Sequence, residues 1–315
     1  MSRKNRLLQA FLGGLGVLLF VMGILLPIET KDLTEQERQQ AEGDFLTLSQ
    51  GEVHYFLDGP AEGTPVVLIH GFSVPSYVWE PTSTALTEAG FQVLRFDLYG
   101  RGYSDRPEVA YNQVLFVQQL EEIVDELVSD RDIHLVGLSM GGPIAAAYAK
   151  QHPEKITSLT LIAPEAVRTS WVEILPMNIP VVGEYFMQVI LAPLLLPRMQ
   201  TEDFVQPENF PGWEERYREQ LRFRGTGRAL LSTIRNIPKQ DPLAVYDQIS
   251  AAAIPVLIIW GEQDQTISRE DIHVVQEVID GEQLEIIPLA GHLPHYEQAG
   301  AVNPLIVDFL KSPGR

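Results

Sequence analysis

A serine hydroxyl is a poor nucleophile unless a base takes its proton, and the base works best when a carboxylate orients it. The 315-residue chain carries these three residue types in the order serine, aspartate, histidine, each just after an apolar run. Ser139 lies in GLSMGG, residues 137–142, where DIHLV gives way to the alanine-rich PIAAAYAKQH. A strand, then G-x-S-x-G, then a helix predicts a sharp turn with the hydroxyl pushed out of it. Gly137 and Gly141 leave room there for strand and helix to approach, and the helix amides favour a developing negative charge.

Seven histidines are candidates for the base. His54, His70, His134, His152 and His273 sit in or beside strands and helices where a structural role suits them. His292 follows the last apolar run in LAGHLPHYEQ, on a loop expected at the edge of the sheet where Ser139 lies, and is the expected base. His295 is the reserve, placed to cap or pack at the last helix. Asp264 follows IPVLIIW after the turn GEQ and is the expected orienting acid. Glu165, just past ITSLTLIAP, is the alternative; the shorter aspartate on a turn would hold an imidazole more rigidly. Two amides would serve a developing oxyanion: that of Met140, next to the serine, and that of Phe72, after PVVLIHG, with Gly71 allowing the turn.

The elements that would position these residues are legible as alternating short apolar runs and longer helical patterns. DFLTLSQ, EVHYFLDG, PVVLIHG, FQVLRFD, IHLVGLS, ITSLTLIAP, IPVLIIWG and QLEIIPLAG read as strands, the first two antiparallel across Gly51. The later runs are nearly continuous, as in a parallel sheet buried on both faces. Residues 111–129, 143–151, 268–280 and 295–311 read as helices. The expected class is therefore α/β, a mostly parallel eight-stranded sheet with helices on both faces, spanning residues 44–166 and 244–315. Residues 167–243 break the rhythm, with eight prolines, no strand pattern and a basic helical stretch, EERYREQLRFRGTGRALLSTIRN; they read as a helical insertion over one edge of the sheet.

Net charge is −19, from 23 Lys and Arg against 42 Asp and Glu, which lacks the electrostatic footprint of a nucleic-acid binder. With no cysteine, thiol catalysis, disulfides and thiolate metal sites are excluded. No ligand cluster or phosphate-binding loop points to a metal or an organic cofactor. Arg3, Lys4 and Arg6 precede an apolar run, residues 7–28, in which Gln9 is the one clearly polar residue. As a helix it would span about 33 Å against a hydrocarbon core of about 30 Å. It is longer than the apolar region of a cleaved secretion signal and lacks the small-residue cleavage site. Residues 1–28 are thus expected to anchor the chain in a membrane, with the body on the extracytoplasmic side and residues 29–43 as a polar tether or short surface helix; secretion after cleavage is the alternative.

The motifs HGF at 70–72, DLYGRGYSD at 97–105, GLSMGG, WGEQD at 260–264 and GHLPHYEQ at 291–298 together resemble the α/β-hydrolase superfamily over residues 44–311. The resemblance implies that residues 167–243 form a cap over the site, and that Asp97, Gly100, Gly102 and Ser104 shape a loop below it. Ser139 excludes relatives with an aspartate nucleophile, such as haloalkane dehalogenases and epoxide hydrolases. Carbon–carbon bond hydrolases tend to carry HGxGPG and an asparagine before the serine, where this chain has HGFSVPSY and Leu138. The expected activity is hydrolysis of small to medium-chain carboxylic esters, monoacylglycerols included, as in carboxylesterases and monoacylglycerol lipases. Carbon–carbon bond hydrolysis and a non-catalytic binding protein are the alternatives. The run ILPMNIPVVGEYFMQVILAPLLLPRM would line an acyl pocket, pack the cap onto the sheet, or meet a membrane surface.

Overall fold

The unbroken apolar runs become the middle of a single sheet. In a computed structural model, which describes residues 28–128, 131–166, 172, 174–236, 241–279 and 281–313 with Asn5, Gly13, Gly14 and Gly16, eight strands run in the order β1-β2-β4-β3-β5-β6-β7-β8. They are β1 Asp44–Leu48, β2 Gly51–Asp58, β3 Pro65–Ile69, β4 Gln92–Phe96, β5 Ile133–Leu138, β6 Ile156–Ile162, β7 Val256–Gly261 and β8 Gln283–Ile287. β2 is antiparallel to both β1 and β4, and all other neighbours are parallel. Every residue of β3, β4, β5 and β7 is buried, whereas β1 and β8 at the edges expose part of each strand.

Alternation along the strands divides the core in two. Val67, Ile69, Leu94, Leu135 and Leu161 point into one cluster with the helices Gln113–Leu127, Gly141–Gln151 and Pro242–Ala251. Val66, Leu68, Val93, Val136 and Ile162 point into the other, with Leu86, Val302 and Ile306 from the helices Glu80–Glu88 and Ala299–Lys311. Two of these helices, Glu80–Glu88 and Pro242–Ala251, have no counterpart in the sequence reading. The first is built from EPTSTALTE, poor in apolar residues, and buries Thr82, Ser83 and Leu86. Its place is set across the fold, where the Thr82 hydroxyl donates to Asn303 Oδ1 at 3.0 Å.

After β6 the chain leaves the sheet, and short helices between Leu175 and Asn236 lie over its carboxyl edge. The basic stretch is two helices, Trp213–Leu221 and Thr226–Asn236, parted near Gly225 at φ 91°. The chain is back on the sheet layer at Pro242, two residues before the expected 244, where Asp241 caps the returning helix. The apolar run of this region divides three ways. Met187, Val189 and Leu191 are buried; Leu196 and Met199 line a cavity; Leu175, Ile179, Val181, Val182, Leu194 and Leu195 are exposed.

Residues 29–43 include a short surface helix, Glu35–Arg38, and dock against the insertion. The amides of Thr30 and Lys31 both donate to the Arg222 carbonyl at 2.8 Å, and Arg224 N–H returns a bond to Lys31 O. The Glu29 carboxylate accepts from the Gly225 and Gly227 amides at 2.8 and 2.6 Å. Glu29 thus satisfies two backbone amides at the start of the second basic helix. The expected anchor, residues 7–28, lies outside the described residues apart from Gly13, Gly14, Gly16 and Ile28. Among the described residues, no helix is long and apolar enough to cross a membrane.

Candidate active site

Ser139 follows the last residue of β5 and takes φ 51°, a conformation that side chains other than glycine seldom adopt. Three backbone hydrogen bonds hold it there. Its N–H donates to Ile162 O at 2.9 Å, and its carbonyl accepts from Gly142 N–H at 2.9 Å and Glu165 N–H at 3.2 Å. A Cβ on Gly141 would lie 2.3 Å from the Ile69 carbonyl oxygen, and one on Gly71 3.2 Å from the Ser139 Cβ. Glycine at both positions lets the loop after β3 close onto the serine turn. β3 and β5 are adjacent in the sheet, at the point where strand order reverses and α/β sheets open a crevice.

His292 and Asp264 come together from the loops after β8 and β7. His292 Nδ1 is 2.9 Å from Asp264 Oδ2, while Asp264 Oδ1 accepts from the amides of Thr266 and Ile267 at 2.7 and 2.9 Å. An ionised carboxylate only accepts, so Nδ1 carries the proton and Nε2 of the neutral ring is the free lone pair. Burial acts to lower the His292 pKa, but the charge and hydrogen bond of Asp264 outweigh it and hold the pKa above the usual 6.5. Among the described residues neither Nε2 of His292 nor Oγ of Ser139 makes a hydrogen bond, and both residues line one cavity of about 280 Å³.

The far side of that cavity is the loop after β3. His70 Nδ1 donates to Gly71 O at 2.9 Å and its Nε2 accepts from Leu98 N–H at 2.9 Å. Burial pushes its pKa down to about 4, so the ring is neutral and serves as a brace. Drawing the Gly71 carbonyl toward His70 turns the N–H of the same peptide, that of Phe72, the other way. Arg101 holds the next carbonyl: its Nε donates to Phe72 O at 2.8 Å, while its other nitrogens reach Tyr99 O at 3.1 Å and the Thr233 hydroxyl at 2.9 Å. It is fully buried, among the described residues it has no carboxylate partner, and burial lowers its pKa to about 10. Among the described residues the amides of Met140 and Phe72 have no protein acceptor. Two oriented, unused donors thus flank the serine.

The two alternatives from the sequence stand elsewhere. Among the described residues Glu165 is tied to the serine turn only through its amide, and burial raises its carboxyl pKa to about 7. His295 is fully buried, its ring centroid 4.5 Å from that of Trp79, and does not line the cavity; burial, then the nearby His292, pushes its pKa down to about 3. Arg101 and Asp203 are the residues that sequence reasoning missed. Arg101 sits inside DLYGRGYSD, where the glycines and Asp97 drew the attention, and Asp203 belongs to no motif. Its signal was a carboxylate within the apolar insertion. Phe72, Val74, Leu138, Leu196, Met199 and Leu293 give the cavity an apolar wall; Gln200, Asp203, Gln265 and Thr266 give it a polar one. Among the described residues no cluster of three or more His, Asp or Glu could hold a metal ion.

The sequence profile of a family described as the alpha/beta hydrolase fold matches residues 64–299. A putative 2-succinyl-6-hydroxy-2,4-cyclohexadiene-1-carboxylate synthase of Bacillus subtilis is 27% identical over 286 residues, covering 85% of this chain and 98% of its own length. Lipase 1 of Psychrobacter immobilis is 26% identical over 284 residues, covering 85% and 84%. Among solved structures, a membrane phospholipase A described as a bacterial virulence factor superposes with a TM-score of 0.71 at 23% identity, covering 99% of this chain and 98% of that one.

Proposed function

Because the chain belongs to the alpha/beta hydrolase fold family, we propose that its site is a serine ester hydrolase working through an acyl-enzyme. The observation that carries this reading is the pair of free amides, Met140 and Phe72, beside a strained serine that shares a cavity with an aspartate-braced histidine. Ser139 Oγ attacks the acyl carbon while His292 Nε2 takes its proton, and the carbonyl electrons move onto oxygen between the two N–H donors. As the carbonyl re-forms, the bond to the alcohol oxygen breaks and His292 returns the proton to that oxygen. Water then repeats the sequence on the acyl-serine, releasing the acid and restoring the hydroxyl. Asp264 keeps the ring in the required tautomer and stabilises it as it becomes charged.

The apolar wall supports acyl chains of small to medium length, monoacylglycerols among them, as does the volume of about 280 Å³, at the small end of ligand pockets of about 300–1,000 Å³. Each methylene buried there contributes about 0.8 kcal/mol, so kcat/KM should climb several-fold per carbon until the cavity is full. The test is a series of esters from acetate to palmitate, with a vinylogous diketone acid of the ring-cleavage type at equal concentration. Fast turnover of the diketone with negligible ester hydrolysis would replace this reading by carbon–carbon bond cleavage.

We also propose a membrane location, supported by the basic start and the apolar run of residues 7–28, with the body on the extracytoplasmic side. The full chain should resist carbonate extraction from membranes. A mature protein starting near residue 30 would mean secretion instead.

A further inference from the structure

The insertion delivers Gln200 and Asp203 to the polar wall of the cavity, and among the described residues the charge there has one sign. Asp203 follows the helix Leu196–Glu202, and its carbonyl accepts from the His292 N–H at 2.8 Å. A Cβ on Gly291 would lie 2.2 Å from that carbonyl oxygen, so glycine there lets the insertion reach the histidine loop. Asp203 Oδ1 takes a hydrogen bond from the Thr266 hydroxyl at 3.3 Å; among the described residues its Oδ2 has none. Among the described residues, the cavity lining includes Glu202 and Asp203 but no lysine or arginine. Glu202 is already paired with Arg198 at 2.7 Å on an exposed face, which leaves Asp203 as the uncommitted anion.

Position decides which half of a substrate meets it. In the ester-hydrolase reading, on which this inference rests, His292 hands its proton to the departing alcohol, so the alcohol half lies on the histidine side. The apolar wall is left for the acyl half. We propose that Asp203 is a recognition site for the alcohol half of the substrate, selecting esters of alcohols that bear a cationic ammonium group over neutral and anionic ones.

Among the described residues, the charged groups that act on Asp203 are His292, Asp264 and Glu202. Burial first, then the Asp264 and Glu202 charges, raise its pKa, while His292 and the Thr266 hydroxyl lower it, leaving it at about 6. It is therefore ionised at pH 8 and largely neutral at pH 5.

The experiment uses the full chain in detergent and three butyrate esters: the choline ester, its neutral 3,3-dimethylbutyl isostere and an anionic 3-sulfopropyl ester. At pH 8 and low salt, kcat/KM for the cationic ester should exceed that for the neutral isostere about 10-fold, with the anionic ester slowest, as expected for one partly desolvated charge pair. Both esters need the same neutral His292, so its titration cancels in their ratio, and the ratio should fall toward 1 as pH drops through about 6. Asp203→Asn should hold the ratio near 1 at every pH, and Asp203→Glu should restore part of it. A ratio near 1 in the parent at pH 8, or one that does not change with pH or with Asp203→Asn, overturns the proposal. The parent's own pH series decides it even where the asparagine variant does not fold. Failure of all three esters together with no fluorophosphonate labelling of Ser139 would overturn the hydrolase reading itself, and this inference with it.

Discussion

Two buried histidine–aspartate pairs occupy this molecule, and they are opposites. His292 pairs with Asp264 through Nδ1 at 2.9 Å and leaves Nε2 free beside the cavity. His54 pairs with Asp97 through Nδ1 at 2.7 Å, but its Nε2 lies 2.6 Å from the Glu42 carbonyl oxygen. A carboxylate and a carbonyl only accept, so both nitrogens of His54 are engaged as donors when the ring is an imidazolium, and that charged form is the one the site favours. Asp97 is further saturated by the amides of Ser76 and Tyr103 at 2.8 and 2.9 Å. For His54, too, burial acts to lower the pKa and the Asp97 charge and hydrogen bond raise it above 6.5. The shared motif therefore says little about chemistry; what makes one pair a base and the other a staple is the partner of the second nitrogen.

The comparison breaks most visibly at the serine that only one pair can serve. Ser139→Ala should lower kcat by about 10⁴–10⁶, the range seen when a nucleophile is removed from such a set, and abolish fluorophosphonate labelling. Labelling that persists in this variant would put the nucleophile elsewhere.

The aspartates sharpen it. Asp264→Asn should lower kcat by up to about 10⁴, with a far smaller loss in Glu165→Gln. Asp97→Asn should do the reverse, costing about 3–5 kcal/mol of stability by stranding the His54 charge, with a much smaller change in kcat for the molecules that remain folded. Urea melts and kcat measured on all three variants check this. A large kcat loss with unchanged stability in Asp97→Asn would make the two pairs equivalents after all.

The smallest effect is in pH, where the pairs should move in opposite directions. His292 must be neutral to act, so kcat/KM should fall as pH drops through a midpoint above 6.5; a flat profile down to pH 4 would remove it as the base. A raised folded-state pKa at His54 means its contribution to stability is fully present below about pH 6.5 and is lost as pH rises through the folded value. Above pH 6.5 activity should therefore rise while this share of stability declines. His54→Gln should flatten that decline in Tm and leave the activity midpoint where it was.

The order of serine, acid and histidine, the eight strands and the antiparallel first pair were all legible in the chain, because each is a local pattern. An apolar run long enough for one strand, closed by a turn that ends in a reactive side chain, carries its meaning within about ten residues. The sequence also brought out two carboxylates, Asp264 and Glu165, and two histidines, His292 and His295, and gave only a general preference within each pair. That choice is tertiary. It depends on which loops meet across β7 and β8, on Trp79 covering His295, and on the desolvation of Glu165, which among the described residues has no cationic partner. The helix Glu80–Glu88 was invisible for the same reason, since its sequence is nearly indifferent to conformation and its burial comes from the C-terminal helix. Arg101 and Asp203 were present in the sequence as an arginine between glycines and an acid in an apolar insertion. Their roles appear only once Phe72 and Thr233, or His292 and Gly291, are brought within hydrogen-bond distance or van der Waals contact, from 29 and 132 residues away for Arg101 and from 89 and 88 residues away for Asp203. Local patterning carries no record of a partner that distant, and hydrogen bonds between remote segments are what separated a base from a staple.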